Sequence, residues 1–251
     1  MIITTETTDQ QLTNRSRRRL ARLAAAALAT AAVLAIAGFT ALGSIFSYPQ
    51  ILHEPVEVVL NRFRDHQAAV MGWFAVLTLS AALMAPAGSW LGRLRGGTLG
   101  RWITGLGIAA AVVQVAGLQR WITIVPGISE QALDPGSQAA LRHRLLRPPS
   151  ESAFLFWHRL LGTAIGETVG YALTAAFTVL VVIAFDRRLL PRWLVVLGGV
   201  AATLIATGVI IPVVSGASLT NFAGYVLWCV WLLVVAGFLI KAARSDSVCR
   251  T

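Results

Sequence analysis

Long apolar runs separated by short charged segments make up most of the chain. Six of these runs reach the roughly 20 residues of helix that are needed to cross about 30 Å of hydrocarbon. They are predicted near Leu23–Phe46, Ala68–Ser89, Trp102–Val125, Leu160–Phe185, Trp193–Val214 and Phe222–Ile240. The pattern predicts an all-α fold, a polytopic bundle of six transmembrane helices in one domain (residues 23–240), between a basic N-terminal tail (1–22) and a C-terminal tail (241–251).

The distribution of charge predicts how this bundle is oriented. The formal net charge of +10 would point to nucleic acid in a soluble protein, but here the charges lie between the apolar runs. If six helices alternate in direction, 14 basic and 4 acidic residues fall on one side, and six of each fall on the other. The positive-inside rule places the basic side, with both termini, in the cytoplasm. We therefore expect a multi-pass protein of a bacterial plasma (inner) membrane, whose partner is the lipid bilayer and not nucleic acid.

One acidic residue, Glu167, lies inside an apolar run. Thr163, Tyr171, Thr174 and Thr178 are spaced from it by steps of three or four residues, so all five fall on one face of an α-helix. A carboxyl group in hydrocarbon costs several kcal/mol unless it is neutral, paired or hydrated. This polar face is therefore predicted to be a functional site, with Glu167 as a candidate general acid.

The third run supplies a predicted partner for this carboxyl group. Arg120 lies in the same half of its run as Gln114 and Gln119, at a depth similar to that of Glu167. Opposite charges at similar depth on consecutive helices can pair, although an arginine can instead extend toward the headgroups. A buried pair either fixes which helices meet or belongs to a ligand, proton or substrate site. The extra polar residues favour a site, and its predicted ligand-binding residues are Arg120, Gln114, Gln119, Tyr171 and Thr174.

A glycine stripe lies beside the polar face of the fourth run. Gly162, Gly166 and Gly170 are spaced by four, a pattern that lets a neighbouring helix approach closely in a membrane. We expect these three residues to be helix-packing positions. The neighbour is either another helix of the bundle or, in a homo-oligomer or membrane complex, a partner protein.

Two segments between the runs have the pattern of short surface helices. Pro55–Gln67 is predicted to turn its apolar residues toward the bilayer, and Gln138–Arg147 has a similar pattern. They are either connectors that rest on the surface or lids over one mouth of the bundle.

No metal or cofactor is predicted. His66 and His158 fall at the ends of two runs, but no haem or copper motif accompanies them. On an α-helix, the nine-residue spacing between His158 and Glu167 places them on nearly opposite sides. Cys229 lies in a run and Cys249 in the polar tail, so both are expected to be free thiols.

The fourth and fifth runs also carry a family resemblance. The run GTAIGETVGYALTAAFTVLVVIAF, followed by LLPRWLVVLGGV, resembles an uncharacterised family of small bacterial integral membrane proteins that is defined only as a domain of unknown function. The resemblance implies an integral membrane fold of about six helices. It implies no activity and no catalytic residue.

Three functions remain open from the sequence. The first is a non-enzymatic protein with an outward-facing pocket that binds or conducts a small or lipid-like ligand. The second is a membrane-embedded enzyme in which Glu167 is a general acid, for example in isoprenoid cyclisation, with Tyr171, Trp73 and Phe177 stabilising a cation. The third is an assembly or regulatory subunit that docks through the glycine stripe.

Overall fold

The protein is a bundle of six long apolar helices. The computed structural model describes residues 3–132, 149–186, 189–214 and 216–245, with side chains from Asn14 onward. Within these ranges it is helical apart from turns and an isolated bridge between Asp186 and Leu190. The spans long and apolar enough to cross a membrane are Asn14–Phe46, Gln67–Arg95, Gly97–Gln131, Ser150–Phe185, Arg192–Ile210 and Ala217–Arg244. These six spans confirm the predicted all-α multi-pass fold. The predicted surface helix Gln138–Arg147 and Cys249 lie outside the described residues.

Several spans are broken into consecutive helices. The α-helices are α1 (Ile3–Phe46), α2 (Val56–Asp65), α3 (Gln67–Ala82), α4 (Met84–Arg95), α5 (Gly97–Leu118), α6 (Arg120–Thr123), α7 (Val125–Gln131), α8 (Pro149–Trp157), α9 (Gly170–Phe185), α10 (Arg192–Ala206) and α11 (Ala217–Arg244). A π-helix (His158–Val169) joins α8 to α9, and 3₁₀ turns cover Gln50–His53 and Thr207–Ile210.

Several predicted boundaries differ from those of the structure, and the fourth span begins at Ser150 and not at Leu160. The helix α1 begins at Ile3, so most of the predicted basic tail is continuous with the first span. The fifth span ends at Ile210 and not at Val214, because its α-helix tightens into a 3₁₀ turn after Ala206.

The six spans form a closed ring. The first span packs against α3 and α4, which pack against α5, and α5 packs against the π-helix and α9. From there α9 contacts α10, α10 contacts α11, and α11 returns to α1. We call the end of the ring near Ala21 and Leu239 the termini end, and the end that carries α2 the α2 end.

Two apolar clusters fill the ring, one at each end. The termini-end cluster includes Ala35 on α1, Ala111 on α5 and Phe177 on α9. The α2-end cluster includes Leu42 on α1 and Trp121 on α6. The residues between these positions on each span include most of the predicted polar site. We call this intervening layer the polar belt, and its residues are Gln114, Arg120, Glu167, Tyr171 and Thr174.

The short helix α2 covers the α2-end cluster. Its Val59, Leu60 and Phe63 are almost fully buried within the protein. The prediction that this apolar face turns toward the bilayer is therefore wrong. Arg64 fixes the helix across the bundle end, since its Nη1 donates a hydrogen bond of 3.0 Å to the carbonyl of Ser129 on α7.

Candidate functional site

The most unusual element at the polar belt is the π-helix. It extends over 12 residues, His158–Val169, whereas π geometry mostly occurs as single-turn bulges, frequently at functional sites. Thr168 supports the wider turn locally, because its Oγ1 donates a 2.9 Å hydrogen bond to the carbonyl of Thr163, five residues earlier. A hydrophobicity pattern read with a period of 3.6 residues gives no signal for this geometry.

The π-helix changes which residues share a face. With i→i+5 hydrogen bonds and roughly 4.4 residues per turn, a spacing of nine is about two full turns. The α-helical spacing argument therefore does not apply to His158 and Glu167, because both lie in the π-helix. His158 stacks on Phe154 with ring centroids 5.7 Å apart, and its buried Nδ1 has no hydrogen-bond partner among the described residues.

The glycine stripe packs against α5 and α6 of the same chain. A Cβ on Gly117 would lie 2.7 Å from the Cα of Gly166, so the two backbones are in direct contact. A Cβ on Gly162 would lie 2.7 Å from Nη2 of Arg120, and one on Gly170 would lie 3.2 Å from Cγ of Gln114. The stripe is occupied within the protein, so it does not offer a free docking face.

Arg120 is a buried cation with one unsatisfied amino group. Its side chain is only 4% exposed, and Nη1 donates a 2.5 Å hydrogen bond to the carbonyl of Gly117. The guanidinium carbon lies 5.4 Å from the centroid of the Trp121 ring, which is within cation–π range. Nη2 has no hydrogen-bond partner within the described chain. The predicted alternative, an arginine that extends to the headgroups, does not fit this burial.

The predicted ion pair between Arg120 and Glu167 is not formed. Glu167 is partly buried, and no ion pair or hydrogen bond joins its carboxyl group to a described residue. The two groups nevertheless lie close enough to interact electrostatically. The backbone of Gly117 and the space above Gly162 hold the guanidinium in place, and the carboxyl group has no direct partner among the described residues.

The remaining predicted residues divide between the polar belt and the surface. Gln114 Nε2 donates a 2.6 Å hydrogen bond to Oγ1 of Thr174, which in turn donates to the carbonyl of Gly170 at 2.8 Å. Thr178, one turn further, accepts a 2.8 Å hydrogen bond from Nε1 of Trp228 on α11. Gln119 is exposed and its side chain takes no part in this network.

The side of the belt nearest Glu167 is aromatic. The rings of Tyr171 and Tyr225 are 5.6 Å apart, and those of Tyr225 and Trp228 are 5.9 Å apart. The 3₁₀ turn after α10 brings Gly208 against the Tyr171 ring, where any side chain would clash. Tyr225 and Trp228 were not predicted as site residues, because α11 is apolar on all sides and gives no periodic signal.

Tyr48 links the belt to the segment before α2. Its ring packs edge-on against Phe74 at 5.2 Å, and burial raises its pKa to about 12. The negative charge of Glu167 adds to this increase in pKa, and the positive charge of Arg120 opposes it. The pKa of Tyr48 therefore depends on the charges of Glu167 and Arg120. No sequence pattern connects a residue between α1 and α2 with the fourth span.

The belt approaches the surface near His53. This residue is exposed in the 3₁₀ turn Gln50–His53, yet it interacts electrostatically with both His158 and Glu167.

The described residues contain no group of three histidine, cysteine or acidic side chains positioned to hold a metal ion. Cys229 is a buried free thiol, as predicted.

Comparison with protein families shows which family the chain belongs to. The model of a family described as a domain of unknown function, DUF4386, matches residues 11–236. The chain belongs to this family. The match covers the first five spans, most of the sixth and the whole polar belt, and it confirms the resemblance seen in the fourth and fifth runs. Comparisons with curated proteins and with solved structures gave no match.

Proposed function

We propose that this DUF4386 protein binds a small or lipid-like ligand in the polar belt. The observation that carries the proposal is the buried guanidinium of Arg120, whose Nη2 has no hydrogen-bond partner among the described residues. This group packs against Gly162, five residues before Glu167 on the π-helix, and the Glu167 carboxyl group pairs with no described residue. A buried charge is normally paired and fully hydrogen-bonded, because removing it from water costs several kcal/mol. If Arg120 and Glu167 served only to hold two helices together, we would expect a direct salt bridge between them.

The surroundings support a binding site more than a structural lock. Gln114 and Thr174 are joined by a hydrogen bond in the polar belt. The π-helix, an uncommon backbone geometry, lies in the same layer. The exposed His53 marks the side from which a ligand would enter. Under the positive-inside rule the α2 end faces outward, so we propose an outward-facing site in the plasma membrane.

The test begins with molecules that remain bound during purification. The protein is extracted from membranes in mild detergent, and the small molecules it retains are identified by mass spectrometry. We expect at least one species to be retained by the native protein and lost from Arg120→Gln and Glu167→Gln. Glu130→Gln is the matched control, because this carboxyl group is exposed on α7. Equal retention by all four proteins, or no retained species in any of them, would contradict the proposal.

A second candidate function is intramembrane acid catalysis by Glu167. The aromatic rings of Tyr171 and Tyr225 at the belt favour it, because aromatic faces stabilise a cation such as that formed during isoprenoid cyclisation. Phe177 does not belong to this group, since it packs against Gly88 and Gly107 in the termini-end cluster. Incubation of the native protein with polyprenyl substrates should then yield a cyclic product that Glu167→Gln does not form. A product that forms equally in both proteins would exclude the carboxyl group as the acid.

A further inference from the structure

The polar belt has two chemically different ends. At one end, Arg120 is 4% exposed and the adjoining Trp121 of the α2-end cluster is 0% exposed, and each carries a buried N–H that lacks an acceptor among the described residues. Leaving such a donor unsatisfied costs about 1–3 kcal/mol, and more when the group is charged. Both groups are donors only, so the chemistry missing at this end is that of an anion. Phosphate and carboxylate match a guanidinium best, because the planar group can donate to two of their oxygens at once.

The other end has the opposite character. Glu167 offers acceptor oxygens and no donor when it is ionised, and no described side chain donates to it. Tyr171 follows it by four residues, about one helical turn, and the centroids of the Tyr171 and Tyr225 rings lie 5.6 Å apart. The phenol group of Tyr48 also interacts with its charge. A carboxylate with aromatic faces around it is a typical environment for an ammonium group.

The two ends are about one helical turn apart, because the guanidinium packs against Gly162 and Glu167 follows five residues later on the π-helix, but they are not bonded to one another. An anion bound to Arg120 would be repelled by Glu167 unless it also carried a positive group. A simple cation bound to Glu167 would likewise be repelled by the guanidinium. A molecule with both charges satisfies both ends without repulsion.

We propose that the belt takes a zwitterion, with its phosphate or carboxylate on Arg120 and its ammonium group on Glu167, on the side of Tyr171. This inference rests on the proposed function and adds the chemical class of the ligand. The same chemistry has two sources. One is a phospholipid with an ethanolamine headgroup, which reaches the belt from the bilayer, and the other is a small soluble zwitterion, which enters past His53.

The test compares ligands that differ only in the ammonium group. Delipidated native protein is titrated with phosphatidylethanolamine and with phosphatidylglycerol of the same acyl chains, and binding is measured by native mass spectrometry. Phosphoethanolamine and glycerol phosphate form the matched soluble pair. We expect the zwitterion of at least one pair to bind about tenfold more tightly than its anionic counterpart, which corresponds to one satisfied charge contact. The pair that shows the preference identifies the source.

The variants separate this inference from the proposed function. Glu167→Gln should abolish the preference by weakening the zwitterion alone, whereas Arg120→Lys should weaken both members of a pair because it loses the two-pronged contact. Glu130→Gln should behave as the native protein does. If the anion binds as well as the zwitterion and only Arg120 matters, the belt binds a plain anion and the zwitterion inference fails. If neither Arg120 nor Glu167 affects binding of any probe, the proposed function fails as well. Thermal unfolding of each variant verifies that it is folded.

Discussion

At the scale of single residues, the absence of a side chain at position 162 makes room for the guanidinium of Arg120. A Cβ there would lie 2.7 Å from Nη2 and 2.9 Å from Cζ. We expect Gly162→Ala to displace the guanidinium and to weaken ligand retention severalfold while leaving Glu167 untouched. Gly199→Ala is the control, because a Cβ at that position meets nothing within 4 Å. Retention in Gly162→Ala equal to that of the control would show that the guanidinium position is unimportant.

Tyr48 reports the charges of the belt through its titration. Its pKa is raised from the ordinary value near 10 to about 12, first by burial and then by Glu167, while Arg120 lowers it. The difference in phenolate absorbance between the native protein and Tyr48→Phe should therefore show a midpoint near pH 12. Glu167→Gln should move this midpoint down and Arg120→Gln should move it up. A midpoint near pH 10 that neither variant shifts would place Tyr48 away from the belt.

The same shift affects stability in alkaline solution. Because the folded protein holds the Tyr48 proton more tightly than the unfolded chain does, this stabilising contribution is complete below about pH 10 and is lost as the pH rises toward 12. Tyr48→Phe should accordingly lose less stability than the native protein between these pH values, as measured by thermal unfolding.

At the scale of elements, the contact between α5 and the π-helix depends on two glycines. The Cα atoms of Gly117 and Gly166 approach so closely that a Cβ on Gly117 would lie 2.7 Å from its neighbour. Gly117→Leu should destabilise the protein by about 1–3 kcal/mol, a typical consequence of overpacking. Gly105→Ala on the same helix meets open space and should be neutral or slightly stabilising. Unchanged thermal stability of Gly117→Leu would contradict the close crossing.

The elements also show what the sequence does and does not determine. Span number and approximate position follow from the length of apolar runs, because hydrocarbon thickness sets a minimum helix length. The polar residues of the fourth span were predicted correctly as neighbours of the third span, since Gln114 bonds Thr174. The π-helix was not predictable, because a hydrophobicity pattern with a period of 3.6 residues carries no signal for i→i+5 hydrogen bonding. The absence of the Arg120–Glu167 pair was not predictable either, because local glycines and not the partner charge position the guanidinium.

At the scale of the whole molecule, the testable quantity is orientation. The positive-inside rule predicts that the termini end is cytoplasmic and the α2 end is external. In a protein that lacks its native cysteines, Asp65→Cys on α2 should react with a membrane-impermeant maleimide in intact cells. Ser245→Cys, just after α11, should react only after permeabilisation. The reverse labelling pattern would invert the topology and place His53 on the cytoplasmic side.

The separation of the two apolar clusters by the polar belt has a mechanical consequence. Side chains pack closely within each cluster, whereas the polar belt between them is joined by a few directional hydrogen bonds and by the contact of Gly117 with Gly166. Hydrogen bonds of this kind can be exchanged for bonds to an incoming molecule without repacking either cluster. We therefore expect occupancy of the belt to change the side-chain conformations of this layer and to leave both apolar clusters as they are.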